Sequence, residues 1–327
     1  MSRFKSTRPM RRPEFWCVLI ALSLVSVCYY GLRAAAVYGL AIVTAVATDL
    51  LCLFLQSRPY RWIDLSNVAN AVILAMMLPA TIPYSIVILG TVFMVAVGTH
   101  VFGSRRDYLF PPPAVGYLFI LLSWRKELRQ FPQVGVRLAL FGNDVELVPS
   151  LSSAYNATRL LTGERYDLFL GIGANAMATG CILLLTVCFF VLLFRRQVSL
   201  WASVGYLFGI AIMLLPGSFR PDALLMTNMI VFALLFLVAD PCVMPCRSIL
   251  AYPAAAATSF LMMYLIITFQ MEDAPVVAVM LTVPLWHAFA KLETRLFKPV
   301  RVDPDVEDID IDTAPSDDAA RGEEAAR

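Results

Sequence analysis

Trp124-Arg-Lys-Glu-Leu-Arg-Gln-Phe-Pro-Gln-Val-Gly-Val-Arg137, then Asp144-Val-Glu146, Ser150-Leu-Ser-Ser-Ala-Tyr-Asn-Ala-Thr158, Arg159 and Glu164-Arg-Tyr-Asp167, form the one long polar interval in an otherwise apolar chain of 327 residues. On either side the sequence reads as bilayer-spanning helix. Hydrophobic residues make up 59% and charged residues 15%, with a mean hydropathy of +0.73; soluble domains carry about a quarter charged residues. That balance places the chain in a membrane. The first apolar stretch, from Phe15, lacks an Ala-x-Ala-like cleavage site and reads as a retained helix. The net charge of +2 conceals basic loops and an acidic C-terminal tail, so it gives no reason to expect a nucleic-acid partner.

A hydrocarbon core about 30 Å thick takes about 20 apolar residues of helix. Spans are therefore expected at Phe15 to Tyr30, Ala34 to Leu55, Asn67 to Leu78, Ile82 to Val101, Ala114 to Ser123, Met177 to Phe194, Leu200 to Leu215, Ala223 to Ala239, Ile249 to Phe269 and Val276 to Ala290. The fold class is thus an all-α polytopic membrane protein with about ten transmembrane helices, five on each side of the polar interval. Asn67 to Leu78 and Ala114 to Ser123 are too short to span alone and are bounded by proline, as broken half-helices are. The expected organisation is a basic N-terminus (1–14), a first five-helix half (15–123), an outer-face loop (124–167), a second half (168–290) and an acidic tail (291–327) too polar to order itself.

Basic residues in short loops set the orientation. Arg3 to Arg12, Arg58 and Arg61, Arg105 and Arg106, Arg195 and Arg196, and Lys291 to Lys298 all fall on one face, the cytoplasmic one. The other short loops hold little beyond Arg33, Arg220 and the pair Glu272-Asp273. Both termini are then cytoplasmic, and the interval 124–167 faces outward. Pro113 to Trp124 and Pro275 to Trp286 share Pro, Val and Trp at the same offsets, and each closes a half. Because five is odd, the halves would be inverted in the bilayer, the arrangement in which binding sites form between repeats.

Candidate residues are few. Asp49 and Asp240 are acidic groups in spans, where ionisable side chains are costly. Asp240 precedes Pro241, which ends a helix and frees carbonyls, so it is a candidate ion or helix-end contact; Asp49 is the second. His100 and His287 read as interfacial residues, and Trp16, Trp62, Trp124, Trp201 and Trp286 as an aromatic belt. Cys242 and Cys246 have a ligand-like spacing, but two thiols do not complete a zinc or iron-sulfur site. No catalytic triad, metal-ligand grouping or phosphate-binding glycine loop is present, so neither a self-contained hydrolase nor an ATP-driven pump is indicated.

The strings Asn70-Ala-Val-Ile-Leu-Ala-Met-Met-Leu-Pro79, Gly90-Thr-Val-Phe93, Pro112-Pro-Ala-Val-Gly-Tyr117, Asp167-Leu-Phe-Leu-Gly171, Ala239-Asp-Pro241 and Pro245 resemble, in order and spacing, the RnfD/NqrB family, and RnfD more than NqrB. The likeness covers about Phe15 to Pro299. It implies a membrane subunit of an Rnf-type electron-transfer complex, in a bacterial-type cytoplasmic membrane. In such complexes electrons from ferredoxin or a nicotinamide drive Na+ or H+ translocation through several subunits, and this one catalyses nothing alone. In the family, FMN is esterified to a threonine in an outer loop within Asp-x-x-Ser-Gly-Ala-Thr by a flavin transferase. The matching position is Ser152-Ser-Ala-Tyr-Asn-Ala-Thr158, which implicates Thr158; a second, non-covalent flavin between the halves is also implied. Ser152, Tyr155 and Asn156 replace the motif's Asp, Ser and Gly, and Tyr155 and Asn156 are expected to crowd the approach to Thr158. Other marks have drifted too: Tyr108 to Pro113 lacks the family's two asparagines, Thr179 stands for an acidic residue, and Val243 for a threonine after Asp240. A flavin-free relative, acting as a scaffold or a small-solute or cofactor transporter through the same halves, is the alternative reading.

Overall fold

The computed structural model describes residues 13–56, 66–104, 107–132, 138–140, 145–161, 165–215, 217, 220–241, 243–244, 246 and 249–296. Residues 1–12, Arg58, Arg61, Trp62, Arg105, Arg106, Arg137, Asp144, Glu164, Cys242, Pro245 and the tail from 297 lie outside the described residues. Contacts place Met1–Glu293 in one unit and Thr294–Arg327 in a second.

The first half comprises α1 (Pro13–Tyr30), α2 (Leu32–Leu55), α3 (Ser66–Met76), α4 (Tyr84–Phe93, continued as π-helix over Met94–Val101) and α5 (Pro112–Ser123). The polar interval holds α6 (Arg125–Leu128), α7 (Leu151–Thr158) and α8 (Arg165–Leu170). The second half comprises α9 (Ile182–Phe194), α10 (Leu200–Leu214), α11 (Pro221–Met226), α12 (Ile230–Ala233, continued as π-helix over Leu234–Val238), α13 (Ala251–Phe269) and α14 (Ala274–Leu296). Strand among the described residues is confined to two antiparallel ribbons, β1 (Gly103–Ser104) with β2 (Asp107–Tyr108) and β3 (Gln130–Pro132) with β4 (Leu147–Pro149). The protein is therefore an all-α polytopic membrane protein, as its composition predicts. By length and composition α1, α2, α4 with its π-helical turn, α13 and α14 cross a bilayer unaided, whereas α3, α5, α9 and α10 are shorter. Large apolar side chains such as Ile20, Val43, Phe54, Leu122, Leu183 and Phe194 face outward, as a lipid-facing surface requires.

Contacts between helix ends define two faces. On one, Tyr29 meets Leu170, Arg33 meets Ala80 and Thr81, and Ser150 meets Glu272. On the other, Asp49 near the end of α2 meets His100 near the end of the π-helical turn, and Ser199 before α10 meets Ala239 after α12. Thus α1 runs toward the face that carries the polar interval and α9 runs away from it, so the first helices of the two halves have opposite sense. In each half the third span is broken and the second packs on the fourth, α2 on α4 and α10 on α13. The α10 to α13 approach is close because Gly205 and Gly209 sit one turn apart. A Cβ at Gly205 would enter the Tyr252 carbonyl, and one at Gly209 would enter the Ser259 hydroxyl.

The breaks are where sequence and structure part. The apolar pattern starts the sixth span at Met177, yet α9 begins at Ile182, because Ala176 to Ala178 run extended against the end of α3. There Met177 N–H donates to Leu78 O (3.1 Å) and Ala178 N–H to Met76 O (3.2 Å). Arg33, expected in an exposed loop, is buried and donates to Ala80 O and Thr81 O, both at 3.0 Å. These bonds close the carbonyls freed after α3, where lipid offers no partner. The eighth span, expected to be continuous from Ala223 to Ala239, is broken at Thr227–Met229, with Asn228 and Met229 at φ 57° and 52°. Trp286, expected at a membrane interface, is buried because α14 continues ten residues past it to Leu296; its Nε1–H donates to Thr258 Oγ1 at 2.8 Å.

Replacing Arg33 by leucine strands two buried carbonyls that accept from a cation. The expected cost is about 3 kcal/mol, read as a lowered unfolding midpoint of the detergent-solubilised chain, with partial recovery in Arg33→Lys.

Candidate functional site

The polar interval folds inward through α7. Ser150 caps the helix, its Oγ accepting from Ser153 N–H at 2.9 Å. At helical spacing, Leu151, Ser152, Tyr155 and Asn156 then face the protein, while Ser153, Ala157 and Thr158 are exposed. The inward face fills the break in the eighth span. Ser152 Oγ accepts from Asn228 N–H at 2.7 Å, and the Asn156 and Asn228 side chains pair amide to amide at 2.7 and 3.2 Å. Tyr155 Oη accepts from Arg220 N–H at 3.2 Å, next to the start of α11.

Tyr155 and Asn156 therefore do not crowd Thr158; both are about 1% exposed and point away from it. Thr158 is the last residue of α7, and its hydroxyl donates to Ala154 O at 2.8 Å. Arg159 follows in the left-handed conformation and ends the helix. The hydroxyl is thus held at an exposed helix end beside the small residues Ala154 and Ala157, an environment that fits presentation to a second protein or to a cofactor phosphate.

The remaining named residues lie apart. Asp49 is buried, its Oδ1 2.9 Å from His100 Nε2, while Gln56 approaches His100 Nδ1 at 3.4 Å; both contacts are on the face opposite the polar interval. Asp240 is buried in the turn after α12, where its carbonyl accepts from Val243 and Met244 N–H at 2.9 Å. That satisfies the helix-end role in part; neither aspartate comes near Thr158. His287 meets Leu109 O at 3.1 Å, and the buried Cys246 donates to Trp286 O. Among the described residues no three His, Cys, Asp or Glu side chains converge as a metal site.

What sequence reading missed is the α13 to α14 turn. Glu272 and Asp273 are 6% and 2% exposed and fold in beneath the polar interval. Arg129 Nη2 donates to Asp273 Oδ2 at 2.9 Å, and its Nε lies 2.8 Å from Glu272 Oε1 as an ion contact without an aligned N–H. Tyr117 of α5 donates to Asp273 Oδ1 at 2.5 Å, and Ser150 donates to Glu272 Oε2. One cluster thus ties the first half, the polar interval and the second half. Beside it lies a small cavity lined by Tyr117, Ser150, Ser152, Asn175, Thr179, Glu272 and Asp273, closed by Leu128, Phe131, Ala176 and Met229. The available signal was Glu272-Asp273 in a short loop opposite Arg129 in a long one, which charge counting alone does not pair.

The profile of the NQR2, RnfD, RnfE family matches residues 5–295. The chain belongs to this family. It is similar to proteins named as the RnfD component of an ion-translocating oxidoreductase complex. One, from Aeromonas hydrophila, is 34% identical over 87 residues, 26% of this chain and 25% of the relative. The Haemophilus influenzae protein is 31% identical over 113 residues, 33% and 32% of the two chains. The Shewanella piezotolerans protein is 26% identical over 154 residues, 46% and 42%. The aligned stretches thus span less than half the length of these relatives. Family membership accords with the paired, broken-helix halves described above.

Burial, then the charge of Asp273, raises the Glu272 carboxyl from about 4.5 to about 6, outweighing Ser150, Arg129 and Arg125, which lower it. Burial opposes the charge of Arg129, but the hydrogen bond and charge of Asp273, with Glu272, prevail and raise its pKa. The folded protein holds the Glu272 proton more tightly than the unfolded chain, so this group's contribution to stability is complete below about pH 4.5 and declines as pH rises through about 6. Unfolding free energy should fall by about 2 kcal/mol across that window, and Glu272→Gln should flatten the slope. Arg129→Met leaves two buried carboxylates without their cation and should cost about 3 kcal/mol at neutral pH and less under acid.

Proposed function

We propose that this chain is an RnfD-like membrane subunit of a redox-driven, ion-translocating oxidoreductase complex, and that Thr158 carries FMN through a phosphoester. The observation that carries the reading is the orientation of α7. Its Ser152, Tyr155 and Asn156 anchor it in the break of the eighth span, while Ala157 and Thr158 stand exposed. Family membership supports the scaffold, and the name borne by its relatives supports the complex. On this reading the face carrying the polar interval is the outer face of a bacterial-type cytoplasmic membrane, with both termini in the cytoplasm. The basic loops Arg195 and Arg196 then lie on the inner side.

FMN, when bound, supplies one- and two-electron redox chemistry. The chain's own part is positional. The hydroxyl of Thr158 sits at the end of a capped helix whose other face is fixed by hydrogen bonds, so its distance from the bundle is set by the fold and not by a loose loop. A flavin transferase then finds an accessible hydroxyl flanked by small residues. The cavity beside Glu272 has room for about one water-sized body, so it does not admit a flavin ring; a second, non-covalent flavin would lie elsewhere. Ferredoxin or a nicotinamide is the ultimate electron source, and Na+ or H+ the transported ion; other subunits of the complex deliver the electrons.

Co-expression with a flavin transferase and with the genes encoded beside this one tests the reading. The denatured chain should fluoresce in-gel under ultraviolet light, Thr158→Val should abolish the signal, and the folded chain should co-purify with its neighbours. A dark wild-type band removes the covalent flavin; a chain that purifies dark and alone favours the flavin-free scaffold or transporter.

A further inference from the structure

The cluster under the polar interval does not balance its own charge. Glu272 and Asp273 contribute two carboxylates, both nearly fully buried, against the single guanidinium of Arg129; Arg125 is exposed. A buried, uncompensated carboxylate is strongly unfavourable. One positive charge is therefore required, and the adjoining cavity is where it can sit. A second observation comes from Asn175. It is 9% exposed and lines the cavity, yet its side-chain amide has no hydrogen-bond partner among the described residues. Gly173 and Gly180 flank it, and a Cβ at Gly180 would press on its side chain at 3.2 Å. An amide held this way offers its oxygen to a ligand.

The remaining wall is rich in oxygen. Ser152 Oγ accepts one bond from Asn228 N–H and keeps a second lone pair; Thr179 Oγ1 donates to Ala176 O and keeps both. The carboxylate oxygens of Glu272 and Asp273 each retain accepting capacity beyond Ser150, Tyr117 and Arg129. Hard cations select oxygen ligands of this kind. Divalent charge would overshoot the deficit of one, and the space admits about one water-sized body, not a hydrated ion.

We propose that the cavity walled by Glu272, Asp273, Ser150, Ser152, Asn175 and Thr179 binds one dehydrated alkali-metal cation, Na+ by size. The site joins both halves and the polar interval, so occupancy is felt by all three. It rests on and deepens the ion-translocating reading above by naming where an ion meets this chain on the face of the polar interval. The groups facing Glu272 are Asp273 on its own turn, Tyr117 from α5, and Arg129 and Arg125 from the segment after it. A proton on Glu272 supplies the same single charge, so acid competes with the cation.

The test uses the full-length chain in detergent, with thermal midpoints measured in NaCl, LiCl, KCl and choline chloride at equal ionic strength. At about pH 7.5 the midpoint should rise saturably with Na+ over choline, and at about pH 5 the rise should vanish. Glu272→Gln and Asn175→Ala should each weaken the apparent affinity by about tenfold or more, equivalent to about 1.4 kcal/mol. Identical midpoints in Na+ and choline overturn the proposal, as does a pH-dependent midpoint indifferent to cation, which makes the proton the countercharge. An unchanged Na+ response in both variants overturns it as well. If the variants do not fold, 23Na line broadening by the wild-type chain, reversed by acid and not by choline, decides. No other component of a complex and no electron donor is needed, so failure here leaves the complex reading standing, and failure to co-purify leaves this site standing.

Discussion

A backbone carbonyl or amide inside a bilayer must find its partner within the protein, because lipid supplies none. This chain breaks its helices in the membrane, after α3 and between α11 and α12, and each break exposes such groups. The rest of the structure is arranged to meet them. Arg33 from α2 and the extended residues before α9 close the first break, while Ser152 and Asn156 of α7 close the second. The polar interval is therefore no loose connection between two bundles. Its inward face is a part of the transmembrane core, and that requirement leaves its outward face, with Thr158, in a fixed position.

Much of the fold is legible in the sequence. Apolar runs of about 20 residues mark spans whatever their packing, and the start of α2 at Leu32 and the end of α4's π-helical turn at Val101 fall within two residues of the pattern. Short proline-bounded segments flag α3 as broken. The break at Asn228 is hidden because Thr227, Asn228 and Met229 interrupt an apolar run without proline or glycine, and the conformation depends on side chains about 75 residues away in sequence. Arg33 is misplaced for a related reason: a basic residue between two spans looks like a loop charge unless the carbonyls it serves are known. At the site, Thr158 is recognised by its motif position, but the sense of Tyr155 and Asn156 turns on helical phase relative to a partner that sequence does not reveal. Glu272 and Asp273 look like a solvated turn; their burial is a tertiary fact.

These placements recast how the chain has diverged from the family's flavin motif. Where that motif has acidic or small residues, Ser152, Tyr155 and Asn156 make bonds to Asn228 and Arg220. The substitutions strengthen the anchor of α7 and leave the exposed Ala157 and Thr158 unchanged. Docking and presentation are carried by opposite faces of one eight-residue helix, so one can change without the other. The carboxylate cluster beneath it adds a second tie, since Ser150 both caps α7 and binds Glu272.

The docking of α7 into the broken eighth span is measured most directly by a double-mutant cycle on Asn156 and Asn228, each replaced by alanine, with stability read from denaturant unfolding. Paired amides in a buried break should couple by about 1 to 2 kcal/mol, because either single change strands the other side chain. Additive effects of the two substitutions would mean that α7 and the break do not touch, and that the polar interval is a surface loop after all.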